Sequence, residues 1–203
     1  MTPAVLASAN PGKLREFAAL LSPFALQLVP QGELGIRPAA ETGTTFLENA
    51  LIKARHAAHL AHLPALADDS GLEVDALGGR PGVWSARFAG EAASDEQNLR
   101  HLLAELHDVP DEFRQARYQC VIVWARSVGD QAPLIARGTW EGGIAHVPRG
   151  HGGFGYDPVF IPAGEHRSAA QLASAEKNAV SHRGQALRAL VAMLESAGYI
   201  RTP

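Results

Sequence analysis

A short apolar run, Val5-Leu6-Ala7, is cut by Asn10-Pro11-Gly12, after which Leu14, Phe17 and Leu21 recur at helical spacing. Proline is at home in a first helical turn, so the start reads as strand, loop, helix. The alternation continues. Leu26-Gln27-Leu28-Val29 reads as a second strand. Thr45 with Glu48 three residues on is a capping-box signature, and Leu47, Ala50, Leu51, Ala54, Ala58 and Ala61 mark one face of the helix that follows. That helix should end near His62, ahead of Pro64. A short strand to Ala67, a turn at Asp68-Asp69-Ser70-Gly71 and strand-like alternation over 72–76 come next. Residues 78–90 read as a glycine-rich loop. Ser94 and Gln97 cap a further helix faced by Leu99, Leu102, Leu103 and Leu106. Beyond it the character changes: residues 116–128 are rich in β-branched and aromatic side chains and read as a long strand, with partners at 133–141 and 143–147. A last helix follows Ser181, with Leu187, Leu190, Val191 and Leu194 on its face. Interleaved strands and helices followed by a run of strands point to an α/β fold with a mixed β-sheet, bent into two lobes.

At 203 residues, 46% apolar and 19% charged, the chain has enough apolar side chain for a sizeable core, and it reads as one domain over 1–203. A formal charge of −3 argues against a general nucleic-acid or membrane-surface coat. No apolar run is long enough to span a bilayer, and the N-terminus lacks a basic start followed by an apolar core, so no signal peptide is expected. The lone cysteine, Cys120, precludes an internal disulfide and fits a reducing, cytoplasmic setting. It sits mid-strand among apolar neighbours and reads as core.

Fifteen of the 18 basic residues are arginines, and the only lysines are Lys13, Lys53 and Lys177. Such a chain is expected to use lysine where a compact ammonium is wanted. Each lysine falls in a segment suited to anions. Ser8, Asn10 and Lys13 stand where a strand end leads into a helix N-terminus, which offers N–H groups and a positive dipole end to phosphate; an ordinary capped turn accounts for the same residues. Lys53 lies on the helix after Glu41 and Glu48. Glu48 is explained by the capping box, whereas Glu41 is a loop carboxylate suited to Mg²⁺. Asp68 and Asp69 together exceed what a turn needs, and two adjacent carboxylates can hold Mg²⁺ while one takes a proton from water. Ser70 can meet a phosphate, and Gly71 permits close backbone approach. Gly150, Gly152 and Gly155 match a dinucleotide fingerprint in spacing alone, because strand-like Val159-Phe160-Ile161 follows rather than a helix. Phe154 and Tyr156 in that loop are suited to stacking on a purine. Lys177, His182 and Arg183 gather positive charge ahead of the last helix, where something negative should compensate. His56, His59 and His62 recur every third residue, a spacing that drifts around a helix and suits a solvated face better than zinc.

Taken together, SANPGKLREF, ETGTTFLENALIKA, ADDSGLEVDALGGRPGVWSARFAG, GGFGYDPVF and AEKNAVSHR resemble, in order, the signatures of the inosine/xanthosine triphosphate pyrophosphatases, from about Val5 to Leu194. Ser168-Ala169-Ala170-Gln171-Leu172 departs from the family pattern. The resemblance implies an elongated mixed sheet flanked by helices, in two lobes with a central cleft, and a homodimer. It implies Mg²⁺-dependent hydrolysis of noncanonical purine nucleoside triphosphates (ITP, dITP, XTP) to monophosphate and pyrophosphate, cleansing the nucleotide pool. Ser8, Ala9, Asn10, Pro11, Gly12, Lys13 and Lys53 would hold the triphosphate. Glu41, Asp68 and Asp69 would bind Mg²⁺, with Asp69 as general base. Ser70 would touch substrate, and Phe154, Gly155, Tyr156, Asp157, Lys177, His182 and Arg183 would shape the base and ribose pocket. A 6-oxo purine accepts hydrogen bonds where adenine presents an amine, so donors placed there would reject ATP. Two alternatives remain open: a related pyrophosphatase acting on other modified nucleotides, and a non-catalytic Mg-nucleotide-binding regulator.

Overall fold

The computed structural model describes residues 3–24 and 26–200; Met1 and Thr2, part of the segment read for a leader, lie outside them. Strand β1 (Pro3–Leu6) leads through the Asn10 cap into helix α1 (Pro11–Leu21) and strand β2 (Gln27–Pro30). Helix α2 (Phe46–Ala61) begins at the expected capping box, with Thr45 accepting from the Glu48 N–H and Glu48 accepting from the Thr45 N–H. It ends where His62 turns left-handed, two residues before Pro64. Strand β3 (Ala65–Val74), helix α3 (Asp95–Glu105), strands β4 (Gln115–Ala125), β5 (Leu134–Ile144) and β6 (Phe160–Pro162), and helices α4 (Ser174–Val180) and α5 (His182–Ser196) complete the order. The six strands form one sheet in the order β2-β1-β3-β4-β5-β6. It is mixed, because β1 runs parallel to both β2 and β3 while β5 and β6 are antiparallel.

Two expectations are corrected. Asp68-Asp69-Ser70-Gly71 is not a turn but the middle of β3, a single ten-residue strand. The turn-like composition yields because each aspartate finds a cation from the helices, so the backbone has no reason to reverse. The predicted strand over 72–76 accordingly belongs to β3, and the chain leaves it at Val74 through a 3-10 turn, Asp75–Leu77. The strands expected at 133–141 and 143–147 are one, β5, running through Gly142 and Gly143. A Cβ on Gly142 would lie 2.3 Å from the Ile161 carbonyl oxygen and 2.7 Å from the Phe160 ring. These glycines mark close strand contact, not a break. Glu176, Lys177 and Asn178 lie ahead of the last helix as expected, in the short helix α4.

The chain forms two compact units, residues 1–69 with 120–138 and 183–203, and residues 70–119 with 139–182. In the first, alternate strand residues feed two separate apolar clusters. Leu6, Leu66, Ile122 and Trp124 pack with Phe17 of α1 and Leu187, Leu190 and Leu194 of α5. Val5, Ala65, Ala67, Val121 and Val123 pack with Ala50, Ala54, Ala57 and Ala58 of α2. The period of two along a strand therefore sends odd and even residues of β3 to different helices. In the second unit Leu72, Val74, Leu99, Leu102, Tyr118, Trp140 and Phe160 form the core. Replacing Gly142 by Ala should force β6 away from β5 and lower the unfolding free energy by about 1–3 kcal/mol, read from urea denaturation of the purified protein.

Candidate active site

The parity of β3 fixes the fate of its two acids. Asp68 shares the side of Leu66 and so faces α1 and α5; Asp69 shares the side of Ala65 and Ala67 and so faces α2. The contacts follow. Lys13 Nζ of α1 lies 2.8 Å from Asp68 Oδ2, and the Arg183 guanidinium of α5 approaches the same oxygen at 3.5 Å. Arg183 is fully buried and is also paired with Glu16 of α1. On the other side, Lys53 Nζ of α2 lies 2.7 Å from Asp69 Oδ1 and 3.2 Å from Glu41 Oε1. Asn49, one helical turn before Lys53, donates from Nδ2 to Asp69 Oδ2 at 3.3 Å. Two like charges adjacent in sequence are thus separated by the pleat and given different counter-ions.

Their environments also push their protonation apart. Asp68 is completely buried, which favours the neutral acid, but Lys13, Arg183 and Lys53 outweigh burial and hold its carboxyl far below the ordinary range. For Asp69 burial prevails over the pull of Lys53 and Lys13, and Glu41 adds repulsion, so its carboxyl is raised. Lys53 stays firmly protonated, because Asp69, Asp68 and Glu41 together overcome its own burial. One aspartate is a fixed anion and the other is the more basic, the arrangement that separates a structural charge from a proton acceptor.

The loop ahead of α1 is held by its own side chains. Asn10 accepts from the Lys13 N–H at 3.1 Å, and Ser8 Oγ accepts from the Asn10 N–H at 3.3 Å. Ala9, Asn10 and Pro11 are exposed, while Ser8 and Gly12 are buried. The cap and the proposed phosphate loop are therefore the same residues. The loop after Glu41 is fastened more tightly: Glu48 accepts from the Thr44 N–H, the Thr44 hydroxyl and the Thr45 N–H, which lowers its carboxyl, and the Gly43 N–H donates to Asn49 Oδ1 at 2.8 Å.

The second unit assembles another group of the expected residues. Asp157 accepts from Lys177 Nζ at 2.6 Å and from the Phe154 N–H at 2.9 Å, both on Oδ2, while the Tyr118 hydroxyl is 3.4 Å from Oδ1. This carboxylate is the compensating negative group expected near Lys177. The ammonium also stands over the Phe154 ring, 5.0 Å from its centroid. His182 stacks on Tyr118 with ring centroids 4.6 Å apart and planes 8° from parallel. Tyr156 is buried, its hydroxyl donating to the Ser85 carbonyl at 2.8 Å, and the Gly155 N–H donates to Asp95 at 2.8 Å. Tyr156 is thus an anchor of the loop, not a free stacking surface. Gly155 itself has φ of 60°, which explains glycine there. Ser70 opens this unit as the next residue along β3.

A sequence profile of the Ham1 family matches residues 4–193. The chain belongs to the Ham1 family. It is 55% identical over 196 residues to the dITP/XTP pyrophosphatase of Shigella flexneri, covering 97% of this chain and all of that one, and 54% identical to the enzyme of the same name from Escherichia coli strain K12 over the same shares. Among solved structures it resembles a HAM1 protein from Coxiella burnetii with a TM-score of 0.89 at 49% identity, over 97% of this chain and all of that one. A nucleoside-triphosphatase / dITP/XTP pyrophosphatase from Mycobacterium abscessus matches with a TM-score of 0.74 at 43% identity, over 93% and 98% of the two chains. The mixed α/β sheet of this Ham1 family member is therefore the family's fold.

The geometry of this Ham1 chain also adds residues that the sequence reading left out. Asn49 is polar on the otherwise alanine-lined face of α2, and Glu16 lies one turn beyond Lys13 on α1; both spacings were available in the sequence. Asp95 and Ser85, which hold the 149–158 loop, carry no such signal. His59 of α2 and His62 at its C-terminal cap are exposed, and half-buried His56 sets Nε2 against the Arg37 carbonyl at 2.9 Å. Cys120 is core, its thiol pushed up to about 12 by burial and by the nearby Asp68 charge.

Two outcomes test this electrostatic frame. Because the folded Asp68 carboxyl is more acidic than the unfolded one, its contribution is complete above the unfolded value of about 3.9 and is lost as pH falls through and below it. The stability gap between wild type and Asp68→Asn should be constant above about pH 5 and shrink steadily below about pH 4. In the second unit, Asp157→Ala removes the carboxylate facing a buried ammonium and should cost about 3–5 kcal/mol. Asp157→Leu combined with Lys177→Met should regain most of that in chemical denaturation; a deficit persisting in the double variant would mean that the pair itself stabilises the fold.

Proposed function

We propose that the chain hydrolyses dITP, XTP and ITP to the nucleoside monophosphate and pyrophosphate, acting as a single catalytic domain over 1–203. The observation that carries this reading is the division of labour at Asp68 and Asp69, one buried anion clamped by Lys13 and Arg183 and one more basic carboxylate set by Lys53 and Asn49. The names of the relatives, pyrophosphatases of dITP and XTP over their whole length, support it.

In the reaction Asp69 takes a proton from water as its oxygen attacks the α-phosphorus; the bond from that phosphorus to the bridging oxygen breaks, and pyrophosphate leaves. Lys13 and Lys53, ammonium groups that now face carboxylates, offer further N–H donors to phosphate oxygens, with the residues from Ser8 to Gly12 at the α1 N-terminus. Glu16, Glu41, Asp68 and Asp69 set four carboxylates against the three cations Lys13, Lys53 and Arg183, a local excess of negative charge. A bare triphosphate would be repelled there; one arriving with a divalent cation would not. Among the described residues no three His, Cys, Asp or Glu side chains form a ready-made metal-holding group. Carboxylates that stand apart in this way still fit Mg²⁺, which keeps waters and typically takes one or two carboxylates together with substrate phosphates. Glu41, Asp68 and Asp69 would hold it, and when bound it neutralises phosphate charge. Phe154, Gly155, Asp157, Lys177 and His182 are assigned to the base and ribose, with Tyr156 anchoring the loop that carries the first three. An ammonium or imidazole N–H opposite the 6-oxo group accepts inosine and xanthosine and meets the adenine amine donor to donor. Arg183, assigned to the pocket by the resemblance, acts through Asp68 in this reading. The same resemblance extends the proposal to a homodimer working in the cytoplasm.

Incubation with Mg²⁺ and ITP, XTP or dITP should yield monophosphate and pyrophosphate, with little from ATP, GTP or dUTP. Diphosphate and orthophosphate would overturn the assignment of attack to the α-phosphorus. Asp69→Asn should lose on the order of 10²–10⁴-fold in kcat while still binding nucleotide; an unchanged kcat would remove Asp69 as the base.

A further inference from the structure

Asn49 is wholly inaccessible to solvent on a face of α2 otherwise buried through alanines, and its amide is used at both ends. The Gly43 N–H lies 2.8 Å from Oδ1. An N–H can only donate, so the amide oxygen must face Gly43 and the nitrogen must face Asp69. Nδ2 then donates to Asp69 Oδ2 at 3.3 Å, while Lys53 Nζ holds the other oxygen, Oδ1, at 2.7 Å. Two donors from one helix face, four residues apart, thus fix both the position and the plane of the carboxylate. Each carboxylate oxygen has two acceptor sites, so these two bonds leave capacity for a water.

The same amide reaches the segment carrying Glu41. Gly43 comes so close that a Cβ there would lie 2.8 Å from Asn49 Oδ1 and 2.6 Å from Glu48 Cβ. Lys53 grips Glu41 itself at 3.2 Å. We infer that Asn49 is a positioning residue for hydrolysis: it orients the Asp69 carboxylate toward the attacking water and keeps the Glu41 segment in register with it. The inference rests on Asp69 being the base. Asn49 is closed off from solvent and acts through Asp69.

The amide's two ends are separable by substitution. Asn49→Asp keeps size and an acceptor for the Gly43 N–H but replaces the donor to Asp69 with a like-charged carboxylate. Asn49→Ala removes both. The measurements are kcat and KM for ITP with Mg²⁺, affinity for a non-hydrolysable α,β-imido analogue of ITP, and thermal unfolding. Wild type is assayed first; no turnover of ITP would sink the pyrophosphatase reading and this inference with it. With wild-type turnover in hand, both variants should lose on the order of 10²-fold in kcat, the size expected from a misplaced catalytic group, while analogue affinity stays within about threefold of wild type. Wild-type kcat in Asn49→Asp would overturn the inference, assigning Asn49 to the Gly43 loop alone. Parallel losses of kcat and analogue affinity would overturn it too, marking a structural role. If Asn49→Ala does not fold, the isosteric Asn49→Asp decides by itself.

Discussion

The pleat of β3 is the constraint on which the candidate site depends. Consecutive side chains of a strand point to opposite faces, so Asp68 and Asp69 take different direct partners while sharing the field of Lys13 and Lys53. One is committed to the α1/α5 side, where Lys13 and Arg183 stand, and the other to the α2 side, where Lys53 and Asn49 stand. Carboxylates so close in sequence would repel in a turn. In a strand the backbone itself keeps them apart, and the helices packed on each face supply different partners. A shift of one residue in the pairing of β3 would exchange every one of these contacts and expose the apolar residues beside them.

This arrangement makes the burial of charge tolerable. A buried ion is costly unless paired and hydrogen-bonded. Asp68 meets that condition with two cations on one oxygen, and Arg183 meets it with Asp68 and Glu16. Asp69 is less fully compensated, and burial raises its carboxyl instead. The same physics that stabilises one acid as an anion leaves its neighbour ready to accept a proton.

Much of this was legible in the sequence where the signal is local. The α1 and α2 caps and the α3 capping box follow from spacing alone. What was not legible depends on distant partners. The run from Asp68 to Gly71 has turn composition, and its partners are distant: Lys13, 55 residues before Asp68, Arg183, 115 residues after it, and Lys53, 16 residues before Asp69. Gly142 reads as a break because nothing in its neighbourhood announces that Ile161 will lie against it. Asn49 is not legible in the sequence because beside Glu48 it looks like an ordinary surface polar residue, when its face of α2 is otherwise alanine.

The placement of the acids on β3 has a further consequence for how such a protein wears out. β3 stands between β1 and β4, with hydrogen-bonded neighbours on both sides, so it is drawn from the part of a fold that opens last. Loops and termini fray through small local fluctuations; a central strand is released only when the sheet itself comes apart. The acids at its middle share the lifetime of the sheet, so heat and ageing would take the paired carboxylates and the architecture in the same event rather than one after the other.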